Sequence, residues 1–450
     1  MGVLALPEKI NEYLALVCRQ IRWKRALPDL RRELGTHLLE QRDACIEAGM
    51  TEDEAEAETV RQMGDGVALG RELDSVHRPR EQWPLLCAAA VLTVFGAWLR
   101  LWAGANVPRV AAFAVAAFAA MAITYFTDYR ALARRGGWIC LAVLGAGVLS
   151  LAAFPPLAGM HRMTVYLVQL FPAAYALGVY ALHRWKRWGF YAALILAVVM
   201  AVCSACVPYL LGAVFVVFSA AITLLCAVQK GWFPVHRGAA HVGITAAVLA
   251  LCAAGLYVAR SRILVALDPS SEAMGRGYQG YAVRQTLRSS ARWGAAAAQT
   301  PLPGEDAEFL LARFARGYGL VPLVLACIAL SALFAIVLIR AARQRHAFGP
   351  VLALAALAMP VGNLTASIAA NAGYVLFSAY CPFVSGSAHT VIDMLLLGLA
   401  LSVLRQEQLG EDGPAPVRQG PAARRIRWQG GVLTVDLNRK ADGGEQLRRA

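Results

Sequence analysis

AAHVGITAAVLALCAAGLYVA (residues 239–259) and YGLVPLVLACIALSALFAIVLIR (residues 318–340) are two apolar runs separated by a polar, arginine-rich insert, residues 260–317. A helix needs ~20 apolar residues to cross the hydrocarbon core of a bilayer, and each run reaches that length. Working outward, similar runs stand at 85–103, 108–126, 137–155, 164–182, 189–206, 209–228, 349–371 and 382–404. The fifth and sixth runs share one apolar stretch, broken only near Pro208. The expected fold is an all-α polytopic membrane protein of about ten transmembrane helices.

Composition agrees. Of 450 residues, 58% are hydrophobic and 16% charged, with mean hydropathy +0.51. A soluble domain carries about 25% charged residues. The net charge of +14 is explained largely by basic cytoplasmic loops, so no nucleic-acid partner is expected. The ten cysteines are scattered, most within apolar runs, and read as small packing residues. Cys203-x-x-Cys206 is the only close pair; with no histidine nearby, no metal or redox centre is expected there.

The loops give the orientation. If the chain starts inside, its cytoplasmic loops hold Arg130, Arg134 and Arg135; Arg184, Lys186 and Arg187; Lys230 and Arg237; and Arg340, Arg343 and Arg345. The short outside loops have at most one basic residue near the middle, such as Arg109 or Arg162. This asymmetry predicts both termini inside and residues 260–317 outside. No N-terminal signal peptide is visible.

Residues 1–82 read as a small cytoplasmic helical domain. Leu30, Leu34 and Leu38 share one helical face. Gly49 fits a helix stop, and Thr51-x-x-Glu54 opens the next helix as a capping box. Val60 and Met63 continue an apolar stripe, and Gly64-Asp65 marks another stop and restart. The domain is either a regulatory or partner-binding module or an appendage that fixes topology. Residues 83–405 form the expected membrane domain and 406–450 a cytoplasmic tail. In the tail, 425–437 predicts a hairpin turning at Gly430-Gly431.

The insert contains Arg260, Arg262, Arg276, Arg284, Arg288, Arg292, Arg313 and Arg316 against Asp268, Glu272, Glu305, Asp306 and Glu308. Arginine's planar fork suits phosphate oxygens. If 285–292 is helical, Arg284, Arg288 and Arg292 line one face at i, i+4, i+8. That face either binds lipid phosphates or rests on anionic headgroups. Gly275-x-Gly277 lacks a phosphate loop's context and reads as a turn. His389 and Asp393, four apart within a span, are an intramembrane pair open to a functional role.

Several words of the sequence, in order, resemble the SEDS family (shape, elongation, division and sporulation), which includes FtsW, RodA and SpoVE. They are Arg262-Ile263, Asp268-Pro269, Gly277-Tyr278-Gln279, Leu302-Pro303 and the run from Ala307 to Ala312. Gly317-Tyr318-Gly319, Asn371-Ala372-Gly373 and Cys381-Pro382-Phe383-Val384-Ser385-Gly386 follow. The resemblance extends over 255–405 and is topological over 85–254. Residues 1–82 resemble the helical prefix of some bacterial permease-like proteins, through Met63-Gly64-Asp65.

The resemblance implies a bacterial plasma-membrane enzyme that polymerises lipid-linked disaccharide-pentapeptide into peptidoglycan. Its partners would be that precursor and a class B penicillin-binding protein acting as transpeptidase. No cofactor is implied, and a divalent cation is left open. The family's catalytic aspartate aligns with Glu308, the expected base, with Asp306 the candidate under a shifted register. Arg262, Gln279, Arg284, Arg288, Arg292, Asn371 and Ser385 are the expected substrate-binding residues, and the three arginines 284, 288 and 292 would hold the leaving pyrophosphate. Departures are Ala307 for the family's threonine, Arg316-Gly317-Tyr318-Gly319 for Glu-Glu-Leu-Gly, and Arg292-Trp293-Gly294 for a glycine pair. Glu308 also reads as a carboxylate at the N-terminus of a span. Two other functions fit the sequence: a flippase or transporter for the lipid-linked precursor, and an inactive scaffold for a cell-wall synthase.

Overall fold

A computed structural model describes residues 7–22, 24, 27–77, 81–154, 161–207, 209–295, 302–344, 346–384, 386–406, 426–429 and 432–435. Four helices come first: α1 (Glu8–Gln20), α2 (Leu27–Glu47), α3 (Glu52–Met63) and α4 (Gly66–His77). They bury Ile10, Tyr13, Leu14, Val17 and Leu38, with Leu34, Val60, Met63, Leu69 and Leu73 around them. At the start of α3 the Thr51 N–H and hydroxyl both donate to Glu54 Oε2, at 3.1 and 2.8 Å. These bonds hold the Glu54 carboxyl below its ordinary range. The cap is therefore complete above the ordinary carboxylate range and lost as pH falls through the lowered value. Thr51→Ala should lower the stability of an isolated 1–82 fragment by ~1 kcal/mol, measured by urea unfolding at neutral pH. Equal stability of the two proteins would remove the cap from the account.

The membrane part begins with α5 (Trp83–Trp102), α6 (Val107–Phe126), a short α7 (Tyr129–Arg134), α8 (Gly136–Ala153) and a short α9 (Arg162–Val168). Next come α10 (Phe171–Leu182), α11 (Lys186–Ala205), α12 (Leu210–Gln229) and α13 (Arg237–Leu267). The chain continues with α14 (Tyr278–Ser289), α15 (Leu310–Tyr318), α16 (Leu320–Arg343), α17 (Gly349–Asn371) and α18 (Ala388–Arg405). In the tail, β1 (Ile426–Gln429) pairs antiparallel with β2 (Val432–Val435), Gln429 opposite Val432. Gly430 and Gly431 lie outside the described residues.

Among the described residues, nine helical stretches are long and apolar enough to cross a membrane. One of them, Phe171–Ala205, is a hairpin. The Tyr175 hydroxyl donates to the Ala193 carbonyl at 3.0 Å, whereas 18 residues of continuous helix would separate them by ~27 Å. The chain reverses at His183–Trp185, and Lys186 takes a positive φ of 52°. The arms α10 and α11 therefore correspond to the expected fourth and fifth spans.

α18 and α17 are the most enclosed spans, 72% and 67% buried, and α13 is the least, at 11%. Close approach at the centre depends on small residues. A Cβ on Gly398 of α18 would stand 2.6 Å from the Met121 carbonyl oxygen of α6. At one end of the bundle the start of α5 meets the last turns of three other helices. Arg405 pairs with Glu81 at 3.0 Å, Tyr125 donates to Glu81 at 2.6 Å, and Arg340 donates to Gln82 at 3.1 Å. The arginine-rich loop sits at the other end, where Arg100 at the far end of α5 donates to the Asp306 carbonyl.

Two expectations for the insert need correction. α13 runs on to Leu267, so Arg260 and Arg262 are helical and the irregular insert starts at Asp268. At 31 residues the helix is ~46 Å long, well beyond a hydrocarbon core of ~30 Å. The second concerns the three-arginine face. α14 ends at Ser289, and Ser290 is extended, so Arg292 lies off the helix. Its backbone instead meets the start of α16: the Val321 N–H donates to the Arg292 carbonyl at 3.1 Å.

Candidate functional site

The insert is built on short-range polar contacts. Asp268 ends α13 and accepts from the Ser270 N–H at 3.2 Å, which shapes the turn Pro269–Glu272. Gly277 follows because a Cβ there would stand 2.5 Å from the Pro269 carbonyl oxygen. These contacts aim Arg276 and Gln279 at a cleft of about 410 Å³ that also takes in Tyr209, Arg262, Val265, Phe377 and Ser378. Arg276 is held by Glu272 at 2.8 Å, and that ion pair keeps the Glu272 carboxyl below its ordinary range.

Glu308 reaches the wall of this cleft. The Ser378 hydroxyl, part of the wall, donates to Glu308 Oε1. Three anchors set the Glu308 backbone. Gly304 turns at φ 72° and accepts from the Ala307 and Phe309 N–H groups at 3.1 and 3.2 Å. Phe309 is fully buried. Asn371, the last residue of α17, donates through Nδ2 to the Glu308 carbonyl and to the Ser367 carbonyl, both at 2.9 Å. Its Oδ1 accepts from the Ala312 N–H at 2.8 Å, one of the first-turn donors that a helix cannot satisfy itself. Asn371 therefore ties α15 and the Glu308 segment to α17.

The neighbouring carboxylates are engaged elsewhere. Asp306 pairs with Arg313, and Glu305 pairs with Arg316 at 2.6 Å. Glu308 is the one of these three that forms no ion pair among the described residues. The cleft thus has a carboxylate at its wall and two guanidinium groups, Arg262 and Arg276, in its lining. Such a set can accept a proton from a hydroxyl and hold an anionic leaving group. Among the described residues no three His, Cys, Asp or Glu converge to hold a metal ion.

Of the residues expected from the sequence, the fold brings Arg262 and Gln279 into the cleft, Glu308 to its wall and Asn371 behind Glu308. Arg284 is placed elsewhere: its guanidinium donates to the Ala266 and Leu267 carbonyls at 3.0 Å and lies 4.6 Å from the Tyr374 ring centroid. It caps the end of α13, whose last carbonyls lack helical partners. Arg288 and Arg292 are exposed and line no part of the cleft. Ser385 lies outside the described residues. Arg276 and Ser378 were not singled out in the sequence. Arg276 had a signal, its position directly before Gly277-Tyr278-Gln279, whereas Ser378 had none.

The model of the cell cycle protein family FtsW/RodA/SpoVE matches residues 162–409. No curated protein sequence matches the chain significantly. Solved structures are similar, three of them as follows. A chain of a peptidoglycan synthase complex that coordinates polymerization and crosslinking aligns with TM-score 0.56 at 17% identity, over 72% of this chain and 98% of that one. The rod shape determining protein RodA of Thermus thermophilus aligns with TM-score 0.51 at 15% identity, over 72% and 96%. An aspartate-to-alanine variant of that RodA aligns with TM-score 0.50 at 16% identity, over 72% and 97%. At these identities the structures establish the fold, and the family match covers more than half of the sequence; the chain is a multi-pass membrane protein of the SEDS (FtsW/RodA/SpoVE) family.

Proposed function

We propose that this protein is a peptidoglycan glycosyltransferase that polymerises lipid-linked disaccharide-pentapeptide at the outer face of the bacterial plasma membrane. The observation that carries this reading is Glu308, oriented by Ser378 and Asn371 beside a cleft lined by Arg262 and Arg276. Glu308 is the base that takes the proton from the acceptor sugar hydroxyl. The sugar oxygen attacks the donor's anomeric carbon, and the bond to the lipid pyrophosphate breaks. Arg262 and Arg276 hold the departing pyrophosphate, and Gln279 positions the substrate. Arg276 thus takes the anion-holding role first expected of Arg284, Arg288 and Arg292. A class B penicillin-binding protein is the natural partner, since the new strand needs crosslinking.

The test is polymerisation of purified lipid-linked precursor by the purified protein, alone and with a candidate transpeptidase. Glycan strands in either reaction support the reading. Translocation of labelled lipid in vesicles without polymerisation would favour a flippase, and neither activity would favour a scaffold.

This reading needs the loop outside. Met274 is 98% exposed and lies in the insert. In a background without the ten native cysteines, Met274→Cys should react with an impermeant thiol reagent on intact spheroplasts. Labelling only after lysis would reverse the orientation.

A further inference from the structure

α18 holds a second polar feature, inside the bundle. Asp393 is fully buried, and among the described residues its carboxylate pairs with no cation; the Tyr380 hydroxyl is the polar group directed at it. It stands five residues after Ala388, the first residue of the span, roughly 8 Å deep at the helical rise. An ionised carboxylate in such surroundings is strongly disfavoured without a compensating positive charge.

The side chains packed around it are rich in oxygen. The Tyr209 hydroxyl donates to Asn363 Oδ1, and Asn363 Nδ2 donates to the Tyr380 hydroxyl at 2.9 Å. The Tyr380 ring stacks on His389, one helical turn before Asp393, with centroids 3.8 Å apart. His389 Nδ1 faces Gln169 Nε2, and the Tyr166 ring meets the imidazole edge-on at 4.7 Å. Gln169 Oε1 is a buried acceptor without a partner among the described residues.

The titratable groups facing Asp393 are Tyr380 and Cys381 from the segment before α18, Tyr209 beside α12, and His389 on α18 itself. The helices α6, α7, α9, α16 and α17 also pack on α18. Among the described residues they bring no Lys or Arg to Asp393. Hence no described residue supplies the missing charge. Among the described residues no three His, Cys, Asp or Glu converge there. Carboxylate, phenol and amide oxygens suit a hard cation.

We propose that the oxygen-rich site around Asp393 binds one monovalent cation, a proton or a sodium ion, and that the Tyr209–Asn363–Tyr380 chain, which reaches Asp393 through Tyr380, links its occupancy to the loop-side cleft, whose wall Tyr209 also forms. A proton converts the carboxylate to a neutral acid with one new O–H bond. Sodium leaves the carboxylate ionised and shares its charge with the surrounding oxygens. Either ion neutralises the site. The proposal stands on its own, whatever occupies the cleft.

Infrared spectroscopy of the full-length protein in lipid nanodiscs tests it. Aspartate labelled with ¹³C at its side-chain carboxyl identifies the band in wild type, so the assignment does not depend on a variant folding. Asp393→Asn, close in shape, should lack that band. A protonated-carboxyl stretch should be present in sodium-free buffer at about pH 5, where exposed aspartates are ionised. Loss of the band on raising the pH to about 9, with no response to sodium at fixed pH, identifies a proton site. Loss on adding sodium, but not choline, at fixed pH identifies a sodium site. Tyr209→Phe should move the half-point of the response by roughly 3-fold or more in ion concentration; an unmoved half-point would remove the link to the cleft. A band that responds to neither pH nor sodium marks a fixed structural acid and overturns the site, as does the absence of any Asp393 band.

Discussion

Glu308→Gln should lower polymerisation of the lipid-linked precursor by ~100-fold or more, the usual contribution of a positioned general base. Glutamine keeps the size of the side chain and its contact with Ser378 but cannot accept the proton. The change falls on a side chain at the cleft wall, with the buried anchors Phe309 and Asn371 intact, so the protein should reach the membrane at its normal level. Glu308→Asp installs the residue that the family resemblance implies at this position and should retain or raise activity. It shortens the side chain by one methylene, and displacements near 1 Å can change rates ~100-fold in either direction of fit. Asp306→Asn is the control for a shifted register. Its carboxylate is occupied by Arg313 and lines no part of the cleft, so activity should change little. Undiminished polymerisation by Glu308→Gln would remove Glu308 from catalysis. A large loss from Asp306→Asn alone would move the base by two residues.

The transmembrane fold was readable because a bilayer imposes a simple rule: every backbone polar group must be satisfied within its own helix, over ~20 apolar residues. The hairpin at His183–Trp185 was also signalled, by Arg184, Lys186 and Arg187 between two apolar runs. The end of α13 was not. Arg260 and Arg262 looked like the start of a loop, but a helix that projects beyond the hydrocarbon can carry arginines on exposed faces. Within the insert, spacing alone placed Arg284, Arg288 and Arg292 on one face. Ser290 broke that face by turning extended, and the bare carbonyls of Ala266 and Leu267 drew Arg284 to the end of α13. A helix terminus competes with a ligand for the same guanidinium, and sequence spacing does not show which one prevails. Ser378 met Glu308 across 70 residues of chain, a contact that only tertiary packing creates. The intramembrane pair was legible as His389 and Asp393. Tertiary packing set the partners of the pair: His389 meets Gln169 and Tyr380, and Tyr380 also meets Asp393.

Asn371 carries the other large expected effect, because one side chain satisfies three separate parts of the backbone. It is 3% exposed, so water cannot replace the bonds it makes. Asn371→Ala leaves the Ala312 N–H and the Glu308 carbonyl without their partner, each at a cost of ~1–3 kcal/mol. The thermal midpoint of the purified protein should fall accordingly. Below that midpoint, Glu308 should still lose activity, by ~10-fold or more, because its segment is no longer tied to α17 and the carboxylate drifts from the cleft. The loss should appear in kcat more than in KM, since Arg262 and Arg276 still bind the lipid pyrophosphate. A double variant separates positioning from mere destabilisation. If Asn371 acts through Glu308, Asn371→Ala should cost little further activity in a Glu308→Gln background, the non-additivity expected of residues that work as a unit. Full additivity of the two losses, or wild-type kcat in Asn371→Ala at a permissive temperature, would leave Asn371 as a structural tie between α15 and α17 with no part in placing the base.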